Sequence, residues 1–286
     1  MFRVDEVRIV IVDDSPFTVT ILREILEHHG FKVVGSAASL GEVKTIVNET
    51  RPNLVTMDIS MPGTDGFECT RAVHKIDPDI KVIVISSMKD DEIVDEAIKH
   101  RVSACVQKPI EEEELIAAIN GILADDKLFE LLQKEYFKVF KDSFKEAFCK
   151  MAGKPITFES EYEWKKEFTS EGIVVASGII GKFSGKMFLS MSNQLAEELA
   201  VAIFKRKLDS HGDLANVLTE FSNIVTGNAC SALNMENREY SLRVAPPSII
   251  VGKNIRMSPP DFITHTVIAE TAFGKVLLNV GLKRGS

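Results

Sequence analysis

The pattern that most constrains the fold is a set of short apolar runs in the first 123 residues, each followed by a polar residue. The runs are residues 7–12, 54–57, 81–85 and 103–107, and helical patterns lie between them. Strands that helices cover on both faces are apolar throughout, as in a parallel sheet. Residues 1–123 are therefore predicted to form a doubly wound α/β domain, and the length of 286 residues favours a second domain after it.

The polar residues that follow these runs are Asp13 and Asp14, Asp58, Ser86, and Lys108. In parallel sheets, functional groups collect beyond the carboxyl ends of the strands. Three carboxylates there are tolerated together only with a cation, and oxygen ligands suit Mg²⁺. A hydroxyl and a lysine would complete a site for a phosphoryl group, with one carboxylate as the nucleophile. A single Asp after a strand is usually a cap or turn residue, so the prediction depends on all of these residues together.

Residues 4–123 resemble a two-component receiver domain. The resemblance rests on the pair Asp13-Asp14, on residues 57–66 (Met-Asp-Ile-Ser-Met-Pro-Gly-Thr-Asp-Gly), on Ser86, and on Lys108-Pro109. It implies a five-stranded parallel sheet and a cis bond between Lys108 and Pro109.

The resemblance also implies a chemistry for these residues. Asp58 would accept a phosphoryl group from a histidine kinase. Mg²⁺ would be held by Asp14, Asp58 and the Ser60 carbonyl, with Asp13 acting through water. Ser86 and Lys108 would contact the phosphoryl oxygens.

One residue departs from the receiver pattern. Receivers usually carry an aromatic residue three positions before the lysine, and this chain has Cys105 there. Without this aromatic residue, a conformational switch that depends on the movement of a large ring is in question. The phosphoryl chemistry does not depend on that ring.

A long apolar stripe follows the first domain, and no Gly or Pro lies between Asp125 and Met151. We predict one amphipathic helix over residues 124–152, which ends at Gly153. It is interpreted either as the first helix of the second domain or as a dimerising or signal-transmitting helix. The absence of a Pro- or Ser-rich linker favours mechanical coupling of the two domains. The stripe is Leu128, Leu132, Tyr136, Phe140, Phe144, Phe148 and Met151.

Residues 153–286 are predicted to form an α+β domain. Residues 172–192 have the pattern of a hairpin with its turn at 181–185. Helices are predicted at residues 195–208 and 213–233, and Asp213 is the expected N-cap of the second helix. Strands are predicted at 248–252, 264–269 and 275–280. Their alternation favours a mainly antiparallel sheet with one covered face.

The helix from Asp213 carries four residues at steps of four, three and four: Asn216, Glu220, Asn223 and Gly227. This spacing places them on one face, opposite the apolar one. A solvated face is the ordinary explanation of an isolated E-x-x-N pattern.

Residues 127–283 resemble the CheC/CheX/FliY family of chemotaxis phosphatases, and most nearly CheX. The resemblance rests on residues 220–223 (Glu-Phe-Ser-Asn), on Pro246 23 positions after Asn223, and on the 172–192 hairpin. It implies that Glu220 and Asn223 are catalytic, that Asn216, Gly227 and Pro246 support them, and that the domain forms a homodimer. Asn216 departs from the family, which has Asp or Ser there.

Together these features predict a phosphorylation-regulated response regulator. Its second domain would hydrolyse the aspartyl phosphate of a CheY-like chemotaxis regulator in trans, and its own receiver is a further candidate substrate. Asn223 would orient the attacking water, and Glu220 would pair with the receiver lysine. The alternative is an adaptor that docks and dimerises with weak catalysis, which Asn216 and Cys105 favour.

The net charge and the composition also restrict which partners and which location are expected for this protein. The net charge is −8, with 13 basic and 22 acidic residues in 1–123 and 21 and 20 in 124–286. An acidic first part and a near-neutral second part disfavour nucleic acid as a partner. No apolar run approaches about 18 residues, so no membrane insertion is expected. The first six residues lack a signal-peptide pattern, and the four cysteines are widely spaced, so we expect a cytoplasmic protein.

Overall fold

A computed structural model describes residues 7–87, 91–170, 172–208 and 210–284, with the backbone alone for residues 91–94 and 211. The first six residues, whose sequence lacks a signal-peptide pattern, lie outside the described part. The chain divides into two compact units between Lys127 and Leu128. In the part of the chain that is described, no helix has both the length and the apolar character needed to cross a membrane.

The first unit is a doubly wound α/β domain, as predicted. Its five parallel strands lie in the order β2-β1-β3-β6-β7, and β4 and β5 form a small separate ribbon. The elements in chain order are β1 (Arg8–Val12), α1 (Pro16–His28), β2 (Lys32–Ala37), α2 (Leu40–Thr50), β3 (Leu54–Asp58), β4 (Ser60–Met61), β5 (Thr64–Asp65), α3 (Gly66–Ile76), β6 (Lys81–Ser86), α4 (Asp91–Lys99), β7 (Ala104–Gln107) and α5 (Glu112–Ala152).

The apolar strands are buried on both faces. Ile9 and Ile11 of β1 pack in a cluster with residues of α1 and α5, and Val10 and Val12 pack in a second cluster with residues of α2 and α3. Successive side chains of a strand point to opposite faces, so a strand between two helical layers must be apolar at every position. This confirms the reason for expecting a parallel sheet.

Helix α5 differs from the expectation at its start. The predicted helix of residues 124–152 is the C-terminal part of a single helix that begins at Glu112 and continues through Gly121. Gly121 is exposed, and a glycine in a helix interior costs only about 1 kcal/mol relative to alanine. Burial of Ile119 and Ile122 on either side outweighs that cost. The helix ends before Gly153, whose φ of 67° fits a left-handed cap.

The second unit is built on a mainly antiparallel sheet, as predicted. Its strands lie in the order β13-β11-β12-β17-β16-β8, with β14 beside β11 and β9 beside β16. The elements in chain order are β8 (Thr157–Phe158), β9 (Tyr162–Glu163), β10 (Phe168–Ser170), β11 (Ile173–Ile180), β12 (Phe183–Met191), α6 (Asn193–Phe204), α7 (His211–Glu236), β13 (Arg243–Val244), β14 (Ser248–Val251), β15 (Ile255–Met257), β16 (His265–Thr271) and β17 (Gly274–Arg284).

The β11–β12 hairpin is confirmed, and its turn is tighter than expected, since only Gly181 and Lys182 separate the strands. Gly181 has a φ of 148°, and a Cβ atom there would lie 2.4 Å from the Ser241 carbonyl oxygen. This turn therefore requires glycine.

The prediction of one covered sheet face is wrong. The main core lies between one face and the three helices α5, α6 and α7. On the other face, Trp164 packs with Val174 and Phe188, and the separate β10–β15 ribbon adds Phe168 and Met257. The pattern of the sheet strands alone could not show that a distant ribbon supplies a second cover.

The predicted N-cap of α7 is also wrong. The cap is Ser210, whose Oγ accepts a hydrogen bond from the Asp213 N–H at 3.2 Å. Asp213 lies instead in the first turn, where its carboxylate faces the positive end of the helix. In α1 the N-cap is Ser15, whose Oγ accepts a hydrogen bond from the Thr18 N–H.

Candidate functional site

The predicted acidic residues meet at the carboxyl ends of two adjacent strands. Asp13 and Asp14 follow β1, and Asp58 is the last residue of β3, which pairs with β1 in parallel. Their side chains each place a carboxylate oxygen within 4.8 Å of the other two. Asp13 and Asp58 are 3% and 4% exposed, whereas Asp14 is exposed to solvent. The group therefore has two buried carboxylates and one that opens the site to solvent.

Lys108, just beyond β7, completes the group. Its Nζ donates to Oδ2 of Asp58 at 2.7 Å and to Oδ2 of Asp13 at 3.2 Å. Burial lowers the pKa of Lys108, but the hydrogen bonds and charges of Asp58 and Asp13 outweigh burial and leave that pKa above its usual value. Lys108 is therefore an ammonium group at neutral pH.

Backbone groups orient the two buried carboxylates. The Ser60 N–H donates to Oδ1 of Asp58 at 2.9 Å, and the Ser15 N–H donates to Oδ1 of Asp13 at 2.8 Å. In each carboxylate, one oxygen thus accepts a hydrogen bond from a backbone N–H and the other accepts one from Lys108. Both carboxylates are therefore held in place before any ligand arrives.

Ser86 and Lys108 lie at the ends of neighbouring strands. Ser86 is the last residue of β6 and is buried, and its carbonyl accepts from the Lys108 N–H at 2.8 Å. The Lys108–Pro109 bond is cis, as the resemblance implies. Cys105 lies on β7 and is exposed, with no ring at the position of the usual aromatic residue.

The charge of this group favours a cation. Three carboxylates face one ammonium, and burial raises the pKa of Asp13 even though the Ser15 N–H and Lys108 oppose that shift. Oxygen-only donors with one side open to solvent fit Mg²⁺, which keeps several waters when bound. The Ser60 carbonyl, two residues after Asp58, is the further donor that the receiver resemblance implies.

The second candidate site is a face of α7. Asn216 and Glu220 are exposed there, and Asn223 and Gly227 are half-buried. Among the described residues, the side chains of Asn216, Glu220 and Asn223 have no hydrogen-bond or ion-pair partner. This face of α7 therefore presents side-chain polar atoms that are available to a ligand.

The strand before Pro246 borders this face. A Cβ atom added at Gly227 would lie 4.0 Å from Cγ2 of Val244 on β13. Pro246 is exposed in the short segment between β13 and β14. The structure thus brings the helix with Glu220 and Asn223 next to the strand that leads to Pro246.

Two buried serines hold the opposite side of α7, and sequence reasoning gave neither a role. The Oγ atoms of Ser222 on α7 and Ser177 on β11 lie 2.8 Å apart, and both side chains are fully buried. Thr226, one turn later, donates to the Ser222 carbonyl at 2.8 Å. The sequence signal for this pair is a serine on the apolar face of a predicted helix together with a serine within an apolar predicted strand.

This pair gives a stability prediction. Ser177→Ala or Ser222→Ala leaves one buried hydroxyl without its partner and is expected to lower the free energy of unfolding by about 1–3 kcal/mol. The double variant should lose less than the sum of the single losses. Trp164, the one tryptophan, is buried in the second unit, so its fluorescence in urea follows this unit. Additive losses would contradict the pairing.

Comparisons with known proteins match the two units separately. The model of the response regulator receiver domain matches residues 9–120, and that of chemotaxis phosphatase CheX matches residues 173–269. Chemotaxis protein CheY of Thermotoga maritima is 36% identical over 115 residues, which cover 40% of this chain and 96% of that protein. CheY of Bacillus subtilis is 34% identical over 116 residues, which cover 41% and 97%.

Among solved structures, a crystal structure of a chemotaxis protein CheX from Desulfovibrio desulfuricans matches with a TM-score of 0.48 and 20% identity. The match covers 52% of this chain and 99% of that chain.

Proposed function

The chain belongs to the response regulator receiver family and carries a CheX chemotaxis phosphatase domain, and from this premise we propose a specific reaction and its control. Asp58 is the phosphoryl acceptor, and its phosphorylation regulates the CheX domain. That domain hydrolyses the aspartyl phosphate of a separate CheY-like response regulator. The observation that carries the proposal is the pair Glu220 and Asn223, displayed without partners on one face of α7.

The geometry around Asp58 supports the proposed receiver step. A carboxylate oxygen of Asp58 attacks the phosphorus of a phosphohistidine on the donor kinase, and the P–N bond to histidine breaks as the acyl phosphate forms. Lys108, now 2.7 Å from the carboxylate, would hold a phosphoryl oxygen, and the Ser86 hydroxyl would donate to another. Mg²⁺ on Asp13, Asp14, Asp58 and the Ser60 carbonyl would supply charge neutralisation for the phosphoryl group.

The phosphatase step needs only a well-placed water. The Asn223 amide offers both a donor and an acceptor, so it can orient a water in line with the phosphorus without acting as a nucleophile itself. The water attacks, the P–O bond to the substrate carboxylate breaks, and the free aspartate and inorganic phosphate leave. The substrate regulator supplies its own aspartate and lysine.

Glu220 is proposed to dock the helix on the substrate. Its exposed carboxylate lies one turn before Asn223 and can pair with the lysine of the partner's active site. The second part of the chain has 21 basic and 20 acidic residues, so it can approach an acidic receiver without strong repulsion.

The experiment supplies a separate phosphorylated CheY-like regulator to the Asp58→Ala protein at a low molar ratio. This variant cannot hold the phosphoryl group on Asp58, so released phosphate comes from the supplied regulator. Several turnovers per molecule are expected, and wild-type protein phosphorylated on Asp58 should differ in rate. No release above the regulator's own rate, from either the Asp58→Ala protein or the phosphorylated wild-type protein, would contradict the proposal.

A second candidate function is an adaptor that binds a phosphorylated receiver without hydrolysing it. Asn216 favours it, because the family pattern has Asp or Ser at this position on the same exposed face. In that case the complex would form and the acyl phosphate would keep its ordinary lifetime.

Glu220→Gln separates docking from chemistry. We expect the KM for the phosphorylated regulator to rise about 10-fold, toward the lower end of the loss expected for a charged hydrogen bond, with a smaller change in kcat. Glu236→Gln removes an exposed carboxylate at the end of the same helix and should leave both constants unchanged. Equal effects of the two variants would contradict the role of Glu220.

A further inference from the structure

A cluster of two histidines and one glutamate lies outside both sites. His28 is the last residue of α1, His29 caps that helix, and Glu112 is the first residue of α5. Oε1 of Glu112 lies 2.7 Å from Nε2 of His29 and 3.5 Å from Nδ1 of His28. One nitrogen of each ring and one carboxylate oxygen therefore converge from the end of α1 and the start of α5.

The spacing of these atoms matches a metal site. Zinc bonds of 2.0–2.2 Å in tetrahedral geometry place neighbouring ligand atoms about 3.3 Å apart. The two distances of 2.7 and 3.5 Å lie on either side of that value, and all three atoms lie within 4.8 Å of one another. All three side chains are exposed, so they have room to rotate toward a shared ion.

We propose that His28, His29 and Glu112 bind a divalent transition metal ion, with Zn²⁺ as the fitting cation. Two imidazole nitrogens and one carboxylate suit Zn²⁺ and its neighbours in the series, whereas Mg²⁺ prefers oxygen alone. The cluster is thus chemically distinct from the group of Asp13, Asp14 and Asp58. Neither histidine nor Glu112 has a part in the proposed phosphoryl chemistry.

Exposure sets the character of the site. All three residues are exposed, so an ion can enter from solvent and water can fill the remaining positions. Three protein ligands predict weaker binding than the four of a structural zinc site. The ion would link the last turn of α1 to the first turn of α5, so metal binding should stabilise the first unit.

Calorimetry of Zn²⁺ binding to the full chain tests this proposal. Excess Mg²⁺ is present to occupy the group of Asp13, Asp14 and Asp58. One Zn²⁺ per chain is expected, with a rise in the melting temperature. The double variant His28→Gln/His29→Gln should lose this binding. Glu112→Gln should weaken it by at least the roughly 10- to 100-fold that is lost when a residue hydrogen-bonded to a metal ligand is removed.

Glu114→Gln is the matched control, because it removes an exposed carboxylate from the same turn of α5 and from outside the cluster. It should leave the Zn²⁺ affinity unchanged. All of these residues are exposed, and circular dichroism without metal should show the same fold in every variant. The proposal is overturned if Zn²⁺ does not bind, if binding persists in the double histidine variant, or if Glu114→Gln weakens it as much as Glu112→Gln.

Discussion

Asp58→Asn is expected to abolish phosphorylation of this protein by a phosphohistidine donor. An amide is not a nucleophile at neutral pH, and no acyl phosphate can form at position 58 without the carboxylate. Asp58 is buried, its Oδ2 accepts from Lys108 at 2.7 Å, and its Oδ1 accepts from the Ser60 N–H at 2.9 Å. The substitution removes one charge and keeps the shape of the side chain. Incorporation of labelled phosphate is the measurement.

Asp79→Asn is the matched control for this variant. Asp79 is exposed and lies outside the acidic group, so the same change of charge should leave incorporation at the wild-type level. Label that remains in Asp58→Asn would identify another acceptor and contradict the assignment.

Asn223→Ala is expected to lower the turnover of aspartyl-phosphate hydrolysis by about 10²–10³-fold. The variant removes the amide proposed to orient the attacking water and leaves Glu220 to bind the substrate. We therefore expect kcat to fall with little change in KM, the reverse of the pattern for Glu220→Gln. Asn223 is half-buried without a described partner, so its loss should leave the fold of α7 intact.

Asn228→Ala controls for loss of an amide from the same helix. Asn228 is exposed, and it lies five residues from Asn223, on a different face of α7. Its removal should change kcat by less than twofold. A wild-type rate for Asn223→Ala would remove the chemical basis of the proposed phosphatase mechanism.

The receiver fold and its carboxylate group could be predicted because two local rules act together there. Apolar strands buried on both faces indicate a parallel sheet, and parallel strands place the residues at their carboxyl ends together. Asp13 and Asp58 meet for this reason, although 45 positions separate them in the chain. The E-x-x-N face of α7 followed from helical spacing, and only the resemblance to CheX gave it a function.

Other features depend on contacts between segments far apart in sequence. The second cover of the antiparallel sheet needs Trp164 and the β10–β15 ribbon to fold back on Phe188. The Ser177–Ser222 pair needs a register between β11 and α7 that neither segment specifies alone. His29 and Glu112 meet only because α1 and α5 pack on the same side of the sheet. Helix α5 continues through Gly121 because burial on either side outweighs a weak local preference.

The lifetime of the aspartyl phosphate on a separate CheY-like receiver, followed together with binding of this protein, distinguishes hydrolysis from docking alone. Wild-type protein is expected to shorten this lifetime in proportion to its concentration and to act on many receivers per molecule. Asn223→Ala should bind equally well and leave the lifetime near its value without the protein. A complex with wild-type protein in which the lifetime stays unchanged would contradict the phosphatase function and identify the chain as an adaptor.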